Sequence, residues 1–272
     1  MDQTRYQSIL SLMELAELEA AELILSAHSI LAETKSGKRD VVTEYDRRVQ
    51  DLITARLKAA VPEAHFFCEE MDNRDRLDAA QLFIIDPIDG TMNFVHGFHH
   101  SCISIAYAEN GTVFAGAVYN PYVDEMFTAI RGHGAFLNGN PVSVTGSGLA
   151  ESVVCYGSAP YAPNLADRTF SLARLAYDAA LDVRREGSAA LDLCTVAAGR
   201  AGLYFELQVS LWDYAAGALI VEEAGGCCSA IDGSDLPSDG SKTSILAGSR
   251  AAVESFLPLA DSANPSDHPL TE

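Results

Sequence analysis

Leu82-Phe83-Ile84-Ile85-Asp86-Pro87-Ile88-Asp89-Gly90-Thr91-Met92-Asn93-Phe94 joins four apolar residues to a segment with two carboxylates. A continuous apolar run of that length reads as a buried strand, here running into Asp86. Pro87 fixes its own φ and biases Asp86 away from the helical region, so a turn is expected that keeps Asp86 and Asp89 close. Gly90 permits close backbone approach, and Thr91 can open a helix whose free N–H groups point back at the turn. Two carboxylates beside a helix N-terminus suit a phosphate ester with a divalent cation, the oxygens taking the metal and the amides the phosphate. The same residues also read as a plain strand-to-helix turn in which Asp86 and Asp89 cap backbone donors.

Working outward, residues 65–68 read as a short strand running into Glu69-Glu70, and Trp212-Asp213-Tyr214 opens a helix over 213–224 that Gly225-Gly226 closes. Alone, Glu69 reads as a solvated loop charge and Asp213 as an N-cap. Together they matter more, because α/β sheets gather ligands beyond the carboxyl ends of their strands. Apolar residues three and four apart predict a long amphipathic helix over 6–32, and a second helix is predicted over 44–60, before Pro62. Between them, residues 35–48 hold Lys35, Lys38, Arg39, Arg47 and Arg48, a local basic excess. Residues 101–108, 113–120 and 125–130 read as successive strands, followed by a glycine-rich stretch whose Asn138-Gly139 fits a tight turn. Helices over 165–180 and 188–199 and a strand over 203–207 follow, so the class is α/β (α+β). The chain divides into an N-terminal α+β half, 1–145, with Glu69 and the Asp86 motif; a C-terminal α/β half, 146–260, with Glu206 and Asp213; and a frayed tail, 261–272.

The 272 residues include 18 Lys and Arg against 38 Asp and Glu, a formal charge of −20, yet 48% are hydrophobic. That hydrophobicity excludes an acidic disordered chain, and the acidity weighs against nucleic acid, whose phosphates need clustered cations. No apolar run approaches the ~20 residues that cross a bilayer, and the acidic N-terminal stretch is unlike a secretory signal. A cytoplasmic protein is expected, with Cys68, Cys102, Cys155, Cys194, Cys227 and Cys228 reduced.

Glu69-Glu70, the run from Asp86 to Gly97 and the run from Trp212-Asp213 to Gly226, in this order and spacing, strongly resemble the inositol monophosphatase family of lithium-sensitive, magnesium-dependent phosphatases, over roughly residues 5–260. The resemblance implies a five-layered α/β/α/β/α sandwich of the inositol monophosphatase and fructose-1,6-bisphosphatase type, a homodimer, and inhibition by lithium. It implies side-chain metal ligation by Glu69, Asp86, Asp89 and Asp213, joined by the carbonyl of Ile88, for two or three Mg²⁺ ions with Mn²⁺ as a substitute. Hard oxygen donors without imidazole or thiolate agree with that metal. The implied reaction is direct attack of a metal-activated water on phosphorus, with Thr91 and Asp46 orienting and deprotonating that water and Glu69 assisting. Read locally, Asp46 is equally a first-turn helix charge.

The same resemblance gives Gly90 and Thr91 the phosphate cradle, puts Lys35 near the site with Lys38 as a competing candidate, and gives Gly187, Ser188, Ala189, Glu206 and Asp213 substrate contacts. A carboxylate such as Glu206 favours a polyol over an apolar leaving group. Arg184 and Arg185 read either as partners for site acids or as surface charge. Cys68, His99 and His100 depart from the family pattern, and His96, His99 and His100 raise the alternative of a second, histidine metal site. The expected substrate is a small phosphorylated molecule, myo-inositol monophosphate or a similar polyol or sugar phosphate. Alternatives within the superfamily are fructose 1,6-bisphosphate, histidinol phosphate and 3′-phosphonucleotides. The alternative of another class is a non-catalytic regulatory partner of the transcription machinery.

Overall fold

The computed structural model describes residues 3–28, 30–37, 40–73, 77 and 79–263. Its outermost layer is a helix pair, α1 (Gln3–Leu25) and α2 (Glu44–Ala60), preceded in the case of α2 by a hairpin of β1 (Ala32–Gly37) and β2 (Asp40–Thr43). Next comes a seven-stranded sheet in the order β3 (His65–Cys68), β4 (Leu82–Asp89), β5 (Cys102–Glu109), β6 (Thr112–Asn120), β7 (Glu125–Ile130), β8 (Ala135–Leu137), β9 (Asn140–Val142). The short helix α3 (Thr91–Val95) follows β4. A second sheet contains β10 (Val153–Tyr156), β11 (Asp182–Arg184), β12 (Leu203–Val209), β13 (Cys227–Ser229) and β14 (Thr243–Gly248). Its order is β11-β10-β12-β14-β13. The remaining helices are α4 (Ala166–Ala179), α5 (Ala189–Ala197), α6 (Leu211–Glu223) and α7 (Arg250–Ser262).

Three apolar cores cement these elements into five layers. Met13, Val49 and Ile53 of α1 and α2 pack on Ile85, Ile103 and Ala117 of the first sheet. Leu193 of α5 and Leu219 and Ile220 of α6 pack between Ile84 and Val118 on one side and Tyr204 and Ala247 on the other. Leu172 of α4 and Phe256 of α7 cover Phe205 and Leu246 on the far face. The result is α/β/α/β/α. Helix α6 is buried along almost its whole length because it has a sheet on both sides, which is why its sequence is apolar all round instead of amphipathic. Gly116 admits it: a Cβ there would lie 3.0 Å from the carbonyl oxygen of Ala216.

Several expectations are corrected. Helix α1 stops at Leu25, not near residue 32. The Ser26 hydroxyl donates to the Glu22 carbonyl at 2.6 Å, and the His28 amide to the Tyr45 hydroxyl at 3.3 Å, diverting the chain from the helical ladder. The polar stretch that follows is the β1–β2 hairpin, in which Lys38 falls outside the described residues. Strand β4 does not turn at Asp86 but continues to Asp89, with a register irregularity against β5 between those two residues. Pro87 has no N–H to offer the ladder, and the irregularity accommodates that lack. Helix α7 extends through Ser262, so Asp261 and Ser262 of the predicted tail are helical, and residues 264–272 lie outside the described set.

Asn138 and Gly139 have φ of 49° and 75°, as a two-residue hairpin turn requires. Among the described residues no disulfide is formed, and four of the six cysteines are buried. Among the described residues no helix is long and apolar enough to cross a membrane.

Candidate active site

Strands β3 and β4 run parallel, with Cys68 opposite Ile85, and the Glu69 amide donates to the Ile85 carbonyl at 3.2 Å. Glu69 therefore leaves the sheet beside Asp86. Asp89 leaves it three residues later, and Asp213 enters from the first turn of α6. These acids line a cavity of about 360 Å³ together with Ile88, Gly90, Thr91, Gly187, Ala189, Glu206 and Lys35.

Each acid is anchored through part of its carboxyl. Asp86 Oδ1 accepts the Ile88 amide at 3.0 Å. Asp89 Oδ2 accepts the Ser188 hydroxyl at 2.6 Å and the Ala190 amide at 2.7 Å. Asp213 Oδ2 accepts the Ser210 amide at 2.7 Å, because Ser210 is the N-cap and Asp213 the third residue of a capping box. Asp213 is thus not the cap itself. Asp46 has the same place in α2, where its Oδ2 takes the Thr43 amide at 2.7 Å and the Thr43 hydroxyl at 2.6 Å. Its Oδ1 remains for the Thr91 hydroxyl, which lies 3.2 Å away and also 3.1 Å from the Ile88 carbonyl. The helix-charge reading and the site reading of Asp46 therefore hold together, one on each oxygen.

Burial and mutual repulsion raise the proton affinity of the whole cluster. Asp86 is pushed well above the ordinary carboxylate range, by burial first and then by Glu69, Asp89 and Asp213. Asp213 moves the same way, through burial and Asp89, against the pull of the Ser210 amide. For Asp89, burial outweighs the bonds from Ser188 and Ala190. Glu69 rises to about 7 because burial outweighs its pairing with Lys35, whose Nζ is 2.8 Å from Glu69 Oε1 and also bonds Glu70. Burial works against the Lys35 ammonium, yet Glu69 and Glu70 hold its pKa above the ordinary lysine range.

Among the described residues, no three of these acids already close into a tight ligand cluster. Carboxylates that repel one another draw together only around positive charge. All the donors are hard oxygens, so the set fits Mg²⁺ in preference to a thiophilic or imidazole-seeking metal. The histidines stand apart: His99 stacks on Tyr122 at 4.9 Å, His100 Nε2 is 4.0 Å from Glu186, and His96 is the C-cap of α3.

Gly90 is required twice. Its φ is +88°, and a Cβ would lie 3.1 Å from the His100 carbonyl oxygen and 3.2 Å from that of Gly187. Ser188 is buried and spends its hydroxyl on Asp89 and, as N-cap of α5, on the Leu191 amide, so it faces the acid and not the cavity. Arg184 pairs with Asp182, whereas Arg185 lines the cavity and donates to the Ser158 hydroxyl at 3.1 Å. Gly157, Pro160 and Tyr161 also line it; they belong to residues 156–167, a stretch without a motif that the sequence offers only as a wall of the substrate mouth, whereas Gln208 and Lys242 carry no sequence signal for the site. Gly157 and its neighbours sit at the carboxyl end of β10, where the strand-end rule would have pointed had residues 153–156 been read as a strand.

A five-layered sandwich with hard-oxygen acids gathered at the ends of its central elements defines a class of metal-assisted phosphate enzymes. The chain belongs to the inositol monophosphatase family, whose profile matches residues 5–264. It is similar to the inositol-1-monophosphatase of Mesorhizobium japonicum, 38% identical over 223 residues, which span 81% of this chain and 83% of that one. Among solved structures, the extragenic suppressor protein suhB of Bartonella henselae superposes with a TM-score of 0.85 at 32% identity, over 95% of this chain and 99% of that one. An IMPase/NADP phosphatase solved in complex with Mg²⁺ and phosphate superposes with a TM-score of 0.82 at 27% identity, over 94% of this chain and 95% of that one.

Proposed function

We propose that this protein is a Mg²⁺-dependent phosphomonoesterase that releases phosphate from myo-inositol monophosphate or a similar small polyol phosphate. One observation carries the reading: acids from β4, from the end of β3 and from α6 line a single cavity that also holds Gly90, Thr91 and Glu206. Glu69, Asp86, Asp89, Asp213 and the Ile88 carbonyl would hold two or three Mg²⁺ ions, for which Mn²⁺ would substitute. The bound metal would neutralise the acids and the phosphate and lower the pKa of the attacking water.

The chain's own residues do the rest. Thr91 and Asp46 orient the water, and Asp46 Oδ1, the oxygen not used in capping, is where its proton goes through the Thr91 hydroxyl. Glu69 is a second acceptor within the same wall of the cavity. The Gly90 and Thr91 amides receive the phosphate oxygens, and Lys35 adds positive charge once it leaves Glu69. Gly187, Ala189 and Glu206 contact the leaving group, with Ser188 fixing Asp89 behind them. We read the two halves, divided near residue 145, as one working unit, because α6 of the second half brings Asp213 to the acids of the first. A cytoplasmic homodimer completes the reading.

The test is phosphate release with Mg²⁺ from inositol 1-phosphate, fructose 1,6-bisphosphate, histidinol phosphate and 3′-phosphoadenosine 5′-phosphate. Inositol 1-phosphate is expected to dominate, and Asp213→Asn to lower turnover by roughly 10³-fold while the circular dichroism spectrum is kept, a loss of about 4 kcal/mol in transition-state stabilisation. Dominance of another substrate removes the inositol assignment. Near-normal turnover in Asp213→Asn removes the ligand assignment, and no release from any substrate favours a non-catalytic role.

A further inference from the structure

Glu206 is gripped from three sides. It sits on β12 just before the pairing with β14 shifts register, and it is 9% exposed, facing the cavity. Its Oε1 accepts the Ala159 amide at 2.7 Å, and its Oε2 accepts the Tyr204 hydroxyl at 2.7 Å. Tyr204 is two residues away on the same face of the strand and is fully buried.

The third side is the loop after β10. A Cβ on Gly157 would lie 1.8 Å from Glu206 Oε2 and 2.0 Å from Cδ, so only glycine lets the backbone pass over the carboxylate. The Gly157 amide ties the loop to β12 through the Phe205 carbonyl at 2.9 Å. Two residues on, Ala159 has a φ of +41°, a left-handed conformation an alanine adopts only under constraint. That conformation presents its amide to Glu206.

A carboxylate has about four acceptor positions, and the two internal donors take one on each oxygen. One acceptor position on each oxygen is therefore left by these two donors, and because the carboxylate lines the cavity it can receive two donors side by side. We propose that Tyr204 and the loop of residues 157–159 are positioning elements that aim Glu206 at two adjacent hydroxyls of the leaving group, so that the site selects phosphate esters of vicinal diols. This rests on the reading of Glu206 as a leaving-group contact and deepens it. Burial raises the proton affinity of Glu206, while the Tyr204 hydroxyl and the Ala159 amide oppose that rise and favour the accepting carboxylate.

The experiment compares kcat/KM for myo-inositol 1-phosphate and for cyclohexyl phosphate, which keeps the ring and lacks the hydroxyls, in the full chain with Mg²⁺. Tyr204→Phe keeps the ring of Tyr204 and removes the donor. It is expected to lower the inositol-to-cyclohexyl ratio about 10-fold, through KM for the inositol ester, and to add nothing in a Glu206→Gln background. Gly157→Ala, which displaces the carboxylate from the other side, is expected to lower the same ratio. If the wild type prefers the inositol ester and Glu206→Gln loses the preference while Tyr204→Phe and Gly157→Ala keep it, or lower both substrates alike, the positioning role is wrong and the reading of Glu206 stands. If Glu206→Gln keeps the preference, the reading of Glu206 falls and the inference with it.

Discussion

Ser188→Ala removes one hydroxyl that does two jobs. In the native protein it donates to Asp89 Oδ2 at 2.6 Å and accepts the Leu191 amide at 3.3 Å as the N-cap of α5. An N-cap of this kind contributes about 1 kcal/mol, and a buried hydrogen bond to a charged group about 1.5–3 kcal/mol. The expected loss of stability is about 2.5–4 kcal/mol, a fall of roughly 5–15 °C in the unfolding midpoint for a chain of this size. The Ala190 amide remains on Asp89 Oδ2 at 2.7 Å, so the acid is loosened but not released. Outer partners of metal ligands typically govern affinity 10- to 100-fold, and a weakening within that range is expected here. Thermal unfolding followed by circular dichroism in a chelator measures the first effect, and calorimetric titration of the folded variant with Mg²⁺ the second. An unchanged midpoint together with unchanged Mg²⁺ affinity would refute the assignment of Ser188 as the residue that fixes Asp89.

Glu17 of α1 is fully buried, and neither carboxyl oxygen has a hydrogen-bond partner among the described residues. Burial, then Glu14, pushes its pKa well above 4.5, so the folded state binds this proton more tightly than the unfolded state and stability falls as pH rises above about 4.5. Glu17→Gln should raise the unfolding midpoint by a few degrees at pH 7–8 and lose that advantage near pH 4; an equal shift at both pH values would contradict the argument. Glu223, at the end of α6, accepts the amides of Gly132, His133 and Gly134 at 2.7, 3.1 and 2.9 Å, pinning the glycine-rich turn to the helix. Glu223→Ala should cost about 1–2 kcal/mol in denaturant unfolding, less than a buried pair because this carboxylate is partly solvated, and an unmoved midpoint would exclude the anchor.

Much of this protein is written locally. Helix α2 spans residues 44–60 as its apolar spacing predicts, and the β5, β6 and β7 runs are legible because apolar, β-branched and aromatic residues cluster between turn residues. Strands β10, β11, β13 and β14 carry weaker signals. Val153–Tyr156 is four residues long and Asp182–Arg184 three, too short for periodicity to declare itself, and both are defined by the neighbours they pair with. The end of α1 is not legible in the sequence because the apolar spacing continues through Ala27, Ile30 and Leu31 while the backbone has already been diverted by Ser26 and by Tyr45, a residue seventeen positions from His28.

Hard-oxygen acids at three element ends, a glycine where a side chain cannot stand and the order of motifs that marks the family are all legible in residue order. How the oxygens of those acids are shared out depends on the folded packing. Asp46 and Asp213 each spend one oxygen on a capping box, and Ser188 turned from a substrate contact into the partner of Asp89. Glu206 proved to be held by Tyr204 and by a loop about 50 residues earlier in the chain. A carboxylate's free lone pairs depend on which donors reach it through space, and residue order fixes its identity without fixing those neighbours.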